Sequence, residues 1–103
     1  IYKGCAVAVS KEKISEIQIV APQAADELLG LEGVDASFVV YDLNGTVYVS
    51  ARSMGAFNVQ LIMESLGGGG HHTMAGAQLP GADPDEVGAE ILRLIEQYIS
   101  EQQ

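Results

Sequence analysis

The stretch ASFVVYDLNGTVYVSA, residues 36–51, determines the fold of this chain more than any other segment. Two runs of β-branched and aromatic residues, 36–41 and 46–51, flank the dipeptide Asn44-Gly45. Asn-Gly between two such runs is typical of a β-hairpin, because a type I′ turn requires positive φ at both central residues. The alternation in the second run predicts one strand face that carries Val47, Val49 and Ala51.

The segment before the hairpin predicts a strand and a helix. Residues 4–9 are an apolar run of strand length, and Lys11-Glu12-Lys13 marks a polar turn after it. Residues 14–20 fit either a strand or a helix. Pro22 suits the first turn of a helix better than its interior, since proline has no N–H group to donate. Two glycines are suited to ending this helix, Gly30 and Gly33.

The segment after the hairpin predicts two further helices around a short strand. Apolar residues recur with helical spacing at positions 59, 62, 63 and 66, and Asn58 is a suitable N-cap. Residues 75–79 fit a strand. Asp83, followed by Pro84 and by Glu86 at the third helical position, predicts the start of the last helix. Strands mixed with helices in this way predict a single α/β domain with a mixed β-sheet and packed helices.

Composition restricts the class of partner. The chain has 103 residues and a net charge of −9, with only five Lys and Arg. The basic stripe typical of proteins that bind long nucleic acids is missing from the sequence, so we expect no such partner. One cysteine forms no internal disulfide, and no run of 18 apolar residues exists. Because the chain opens at Ile1 without Met or a signal peptide, we expect it to be a piece of a longer protein.

The run Gly67-Gly68-Gly69-Gly70-His71-His72 is the strongest candidate for a binding site. Successive backbone N–H groups can form a concave nest for an anion, and histidine adds donors, so the run predicts a phosphate site. A flexible connection between a helix and a strand is the alternative. The run is not a P-loop, because no Lys-Ser or Lys-Thr follows it, and it follows a helix rather than the strand of a dinucleotide fold.

Other polar residues have two interpretations each. Arg52 offers a planar fork of donors suited to phosphate and Ser53 adds a hydroxyl, but a surface ion pair also explains the arginine. Asn58 is a helix cap or a ligand contact. His71 and His72 would point to opposite faces of an extended segment and are the only histidines, so a metal site within the chain is not expected. No nucleophile or acid–base pair stands out, which indicates a binding domain.

Several motifs resemble those of a known family, in which a strand ends in Arg-Ser, a helix opens with Asn-Val, and a Gly-Gly-Gly-His loop follows. Here they read Ser50-Ala51-Arg52-Ser53, Asn58-Val59-Gln60, Ile62-Met63-Glu64 and Leu66-Gly67-Gly68-Gly69-Gly70-His71. Residues 24–29 and 36–39 are also similar. The chain resembles, over nearly all of residues 1–103, the DHH-associated domain, which is the C-terminal domain of DHH-family phosphoesterases. The motifs look most like the branch that cleaves cyclic di-AMP to linear pApA.

The resemblance implies a division of labour within a longer enzyme. A preceding DHH domain of the same polypeptide would hold two Mn²⁺ ions, and this domain would hold the substrate without a metal or catalytic residue of its own. The isolated chain would then be inactive. The substrate-binding residues carried over are Arg52, Ser53, Gly68, Gly69, Gly70 and His71, with Asn58 and His72 as weaker candidates.

The partners implied are a cyclic dinucleotide or short oligonucleotide, the DHH domain, and a second copy of the chain. The parent protein would be anchored in a bacterial membrane with this domain on the cytoplasmic side. Two alternatives stay open at this point. One is the same module in an oligoribonuclease or a RecJ-like exonuclease, and the other is a nucleotide-binding module without catalysis.

Overall fold

A five-stranded mixed sheet forms the centre of the computed structural model, which describes residues 2–11 and 14–102. Its strands are β1 (Cys5–Ser10), β2 (Ala36–Leu43), β3 (Thr46–Ser53), β4 (Gly69–Gly70) and β5 (Met74–Pro80), in the spatial order β1-β2-β3-β5-β4. β1 is parallel to β2, and every other neighbouring pair is antiparallel. The polar turn predicted at Lys11-Glu12-Lys13 lies partly outside the described residues.

The central pair of strands follows the sequence pattern closely. β2 and β3 pair from Leu43 opposite Thr46 to Ala36 opposite Ser53. Asn44 and Gly45 connect them with φ values of 53° and 86°. Val47, Val49 and Ala51 are buried on one face of β3, as predicted, while the residues between them are half-buried on the other.

Helices cover both faces of the sheet. Helix α1 (Ile17–Leu29) packs on the face that carries Val39 and Tyr41. Helices α2 (Val59–Ser65) and α3 (Pro84–Glu101) pack on the opposite face, where Phe38 and the alternate residues of β3 and β5 form the larger core. The single α/β domain predicted from the sequence is thus confirmed as three layers, helix, sheet and helix.

The N-caps of α2 and α3 are those that the sequence predicts. The Asn58 side chain accepts a hydrogen bond of 3.0 Å from the Gln60 N–H. The Asp83 carboxylate accepts one of 3.1 Å from the Glu86 N–H, with Pro84 at the first helical position. Each cap satisfies a backbone donor that the first turn of a helix otherwise leaves unpaired.

The start of α1 differs from the prediction. The helix begins at Ile17, and Pro22 lies in its interior, where it cannot donate to the carbonyl of Gln18. The buried side chains of Ile17 and Ala21, which pack against β2, offset this missing hydrogen bond. The helix ends as predicted, with Gly30 as its C-cap.

None of the helices in residues 2–11 and 14–102 has the length and apolar character needed to cross a membrane.

Candidate functional site

The glycine run begins as the C-terminal cap of α2. Gly67 has a φ of 84°, its N–H donates to the Glu64 carbonyl at 3.0 Å, and the Gly68 N–H donates to the Met63 carbonyl at 2.8 Å. This pair of bonds is a Schellman motif, which requires a left-handed residue where Gly67 stands. The first two N–H groups of the run are therefore used within the protein and do not face a ligand.

Gly68 and Gly70 allow the run to approach β5 closely. A Cβ atom on Gly68 would come within 2.7 Å of the Ala77 Cα atom, and one on Gly70 within 2.6 Å of the Ala75 Cα atom. Contacts this short exclude any side chain, so Gly68 and Gly70 are glycines because of packing inside the domain. Gly69 differs, because a Cβ atom there would meet nothing within 4 Å.

Ser53 and His72 belong to a network of hydrogen bonds that joins the end of β3 to the start of α2. The Ser53 hydroxyl donates to the His72 carbonyl at 3.2 Å, and the Val59 N–H donates to the same carbonyl at 3.0 Å. The His72 Nε2 atom lies 2.9 Å from the carbonyl oxygen of Gly55, to which a protonated Nε2 donates. Ser53 is buried. The network holds the 53–58 loop against the 71–73 turn.

Asn58 is held between α2 and α3. Its side-chain oxygen caps α2, and its backbone N–H donates to the Tyr98 hydroxyl at 3.0 Å. The Tyr98 ring also packs against Phe57, with the ring centroids 4.3 Å apart. The side-chain oxygen of Asn58 is therefore used for capping.

Arg52 forms an ion pair with α1. Its Nε atom donates to the Asp26 Oδ1 atom at 3.1 Å, and one Nη1 hydrogen donates to the Ala51 carbonyl at 2.9 Å. Its side chain is only 13% exposed, whereas that of Asp26 is 63% exposed. The surface ion pair considered from the sequence is present, but it uses one of the five guanidinium N–H donors and leaves others for a ligand.

His71 lies in the tight turn between β4 and β5. Its N–H donates to the Met74 carbonyl at 2.7 Å, and its carbonyl accepts from the Met74 N–H at 3.3 Å. These bonds fix the backbone of the turn while His71 stays exposed. Among residues 2–11 and 14–102, no three His, Cys, Asp or Glu side chains converge in a way that could hold a metal ion.

One part of the sheet surface links Arg52 with Gly69. Side chains on the α1 side of the sheet alternate with those facing α2 and α3, and α1 packs on β2 and β3. We call the part of this side from β3 across to β4 the open face, which α1 borders along β3; it is defined by Tyr48, Ser50, Arg52, Met74, Gly76, Gln78 and Gly69. Met74, which pairs with Arg52, is 52% exposed.

The structure thus divides the predicted site into two groups. Arg52 and Gly69 lie on the open face, whereas Ser53, Asn58 and His72 belong to the network beside α2. Sequence reasoning missed Asp26 and Gly55 as partners of Arg52 and His72. No local signal identifies either partner, since Asp26 lies 26 residues from Arg52 in the sequence.

Comparison with known proteins identifies the family. The DHHA1 domain model matches residues 4–101. The chain is 47% identical over 96 residues to the cyclic-di-AMP phosphodiesterase GdpP of Geobacillus thermodenitrificans, covering 92% of the chain and 15% of that protein. It is 41% identical over 98 residues to the cyclic-di-AMP phosphodiesterase PdeA of Listeria monocytogenes, covering 94% and 15%. It is 34% identical over 84 residues to the bifunctional oligoribonuclease and PAP phosphatase NrnA of Thermus thermophilus, covering 78% and 26%.

Two solved structures share the fold. An exopolyphosphatase-related protein from Bacteroides fragilis matches with a TM-score of 0.70 at 19% identity, over 98% of this chain and 30% of that one. The C-Ala domain of Aquifex aeolicus alanyl-tRNA synthetase matches with a TM-score of 0.67 at 17% identity, over 88% of each chain. At these identities the likeness shows the fold alone. The family match rests on sequence, and by it the chain belongs to the DHHA1 family, the C-terminal domain of DHH-family phosphoesterases.

Proposed function

We propose that this chain is the substrate-binding domain of a manganese-dependent phosphodiesterase that hydrolyses cyclic di-AMP to linear pApA. Two relatives named as cyclic-di-AMP phosphodiesterases are 47% and 41% identical over more than nine-tenths of the chain. The observation that carries the proposal is the position of Arg52 and Gly69 on one open face of the sheet. This face therefore carries both a cation and a stretch of backbone that a ligand can approach closely.

Charge favours a small phosphorylated ligand. The chain has a net charge of −9, so an extended polyanion would be repelled, whereas one or two phosphates need only a few donors. Arg52 supplies these donors in a fixed position, since its side chain is largely buried and its Nη1 atom donates to the Ala51 carbonyl. We assign to Arg52 the contact with a substrate phosphate.

Of the remaining predicted residues, some are assigned to contact with the substrate and the others to holding the surrounding loops and strands in place. His71 is exposed on a fixed turn and is assigned a phosphate contact, and Gly69 allows the substrate to approach its backbone. Ser53, Asn58 and His72 already bond within the protein, so we assign them the positioning of the loops around the site. Gly68 and Gly70 act in the same way, by keeping β4 close to β5.

The metal ions would belong to a different domain. The described acidic and imidazole side chains do not converge on a metal position, so no step of the reaction is assigned to a metal in this chain. Bound Mn²⁺ in a DHH domain of the same polypeptide would supply the activated water. The chain spans about 15% of the length of its cyclic-di-AMP phosphodiesterase relatives, which leaves ample length for such a domain. We place the parent protein in a bacterial membrane, with this domain on the cytoplasmic side and a second copy as a candidate partner.

The alternative is the same module in an enzyme that acts on short RNA, which the 34% identity to an oligoribonuclease favours. Hydrolysis by the full-length protein with Mn²⁺ separates the two. We expect cyclic di-AMP to be converted to pApA faster than a pentaadenylate is shortened, and we expect the 103-residue chain to hydrolyse neither. Faster shortening of the pentaadenylate would establish the oligoribonuclease. Hydrolysis of neither compound by the full-length protein would favour a module without catalysis.

A further inference from the structure

A cavity of about 440 Å³ lies on the open face, at the end away from Arg52. Its lining includes Tyr41, Tyr48, Gly76 and Gln78, together with the start of the glycine run at Gly67 and Gly68. Tyr48 and Arg52 are four residues apart on β3, which places their Cα atoms about 13 Å apart. The cavity is therefore a place distinct from the phosphate contact proposed above.

Two tyrosines form one wall of this cavity. Tyr41 and Tyr48 are cross-strand neighbours, and their rings are stacked with centroids 5.3 Å apart and an interplanar angle of 12°. Tyr41 packs against α1 through Ile17 and Ala21, so it is covered on one side by the helix and on the other by Tyr48. Tyr48 is half-buried and, as the outer ring of the stack, presents its free side to the cavity.

The floor beside Tyr48 is low and flat. Gly76 has no side chain. Gln78 on β5 pairs with Tyr48 on β3, is exposed, and has an amide that can both donate and accept hydrogen bonds. A planar ring lying over Gly76 would continue the stack of Tyr41 and Tyr48 as a third layer. The Gln78 amide would then be the group available to its polar edge, because the Tyr41 ring lies one layer behind Tyr48.

We propose that this cavity binds a nucleobase, which stacks on Tyr48 and forms hydrogen bonds with the Gln78 amide. The amide can both donate and accept, and a base has donors and acceptors along its edge and a flat π-face. The choice of a base over other heteroaromatic rings rests on the proposed function. The cavity would determine which base of a nucleotide substrate the domain accepts.

The test uses adenosine, which has a base but no phosphate and so does not depend on Arg52. Adenosine is titrated into the ¹⁵N-labelled 103-residue chain, and the amide resonances are followed. We expect saturable shifts at Gly67, Gly76 and Gln78, and unchanged resonances at Gly33 and Gly81. Tyr48→Leu should weaken binding about tenfold or more, since stacking on an aromatic side chain contributes most of the affinity for a base. Gln78→Leu, which removes the amide, should weaken it about fivefold, and Tyr41→Phe, which keeps the stacked ring, should leave it unchanged.

The outcomes separate this proposal from the proposed function. Shifts centred elsewhere, or equal affinity in the parent chain, Tyr48→Leu and Gln78→Leu, would overturn the base site even if the full-length protein hydrolyses cyclic di-AMP. Saturable binding that both variants weaken, in a protein that hydrolyses no dinucleotide, would support the base site and refute the proposed enzyme. The amide spectrum of each variant shows directly whether it is folded.

Discussion

The Nε atom of Arg52 on β3 lies 3.1 Å from the Oδ1 atom of Asp26 on α1, so one ion pair connects the open face to the helix beside it. The two partners differ in environment, because the arginine side chain is largely buried and the carboxylate is mostly exposed. Arg52 is thereby fixed in position, while Asp26 can be replaced with little effect on packing.

Replacement of the two partners should affect substrate binding by the full-length enzyme differently. Arg52→Gln should weaken binding of cyclic di-AMP by about tenfold or more, because it removes charge-assisted hydrogen bonds to phosphate. Asp26→Asn should leave binding equal or tighter, because a competing carboxylate is lost, and should lower the free energy of unfolding by less than about 1 kcal/mol. Isothermal titration and urea unfolding measure the two quantities. Weaker binding in Asp26→Asn than in Arg52→Gln would contradict a phosphate contact at Arg52.

Three glycines of the run should respond differently to alanine. Gly68→Ala and Gly70→Ala place a Cβ atom within 2.7 Å of the β5 backbone, so each should destabilise the domain by about 2 kcal/mol or more. Gly69→Ala should change the free energy of unfolding by less than about 0.5 kcal/mol, since its Cβ atom meets nothing within 4 Å. Chemical denaturation of the three variants tests this order. If Gly69→Ala binds the dinucleotide as tightly as the parent protein, the substrate does not approach this part of the backbone.

Replacement of His71 should affect activity, whereas replacement of His72 should affect stability. His71→Ala should lower kcat/KM of the full-length enzyme while the melting temperature stays the same, because we assign its ring to the substrate. His72→Ala removes the hydrogen bond to the Gly55 carbonyl and should lower the free energy of unfolding by about 1 kcal/mol. Thermal melts and steady-state kinetics of both variants provide the readout. A stable His72→Ala variant together with an unfolded His71→Ala variant would reverse the assignment.

The single cysteine should be protected from alkylation until the domain unfolds. Burial, with a smaller contribution from the negative charge of Asp35, raises the pKa of the Cys5 thiol to about 11. Because the folded state disfavours the thiolate, this group contributes stability that is fully present below about pH 9 and is lost as pH rises toward 11. Iodoacetamide at pH 8 should react slowly with the native chain and rapidly in denaturant. Equal rates in both conditions would show that the thiol is accessible in the folded domain.

Local sequence signals predicted most of the secondary structure. Asn58 and Asp83 cap their helices through hydrogen bonds within three residues, so sequence spacing alone is enough to identify them. Pro22 was placed wrongly because burial against β2, a long-range effect, overrides its preference for the first turn. Local signals predict a contact only when both of its residues are close in sequence.

The site could be predicted only in part for the same reason. The glycine run predicts that the backbone comes close to another group. Only the pairing of β4 with β5 shows that, for Gly68 and Gly70, this group is the backbone of residues 75–77. The sequence predicts that Tyr41 and Tyr48 are strand residues. It does not show that their rings stack, or that Tyr48 and Gly76 line the same cavity.

The parallel pairing of β1 with β2 sets an order for folding during synthesis. Parallel neighbours need a crossover, here through α1, whereas β2, β3 and β5 are joined by antiparallel pairing. β1 and α1 leave the ribosome first, but they have no sheet to pack on until β2 and β3 have followed. We therefore expect the apolar side chains of β1 and α1 to stay exposed until the hairpin has formed. The ion pair between Arg52 and Asp26 should form only after that step.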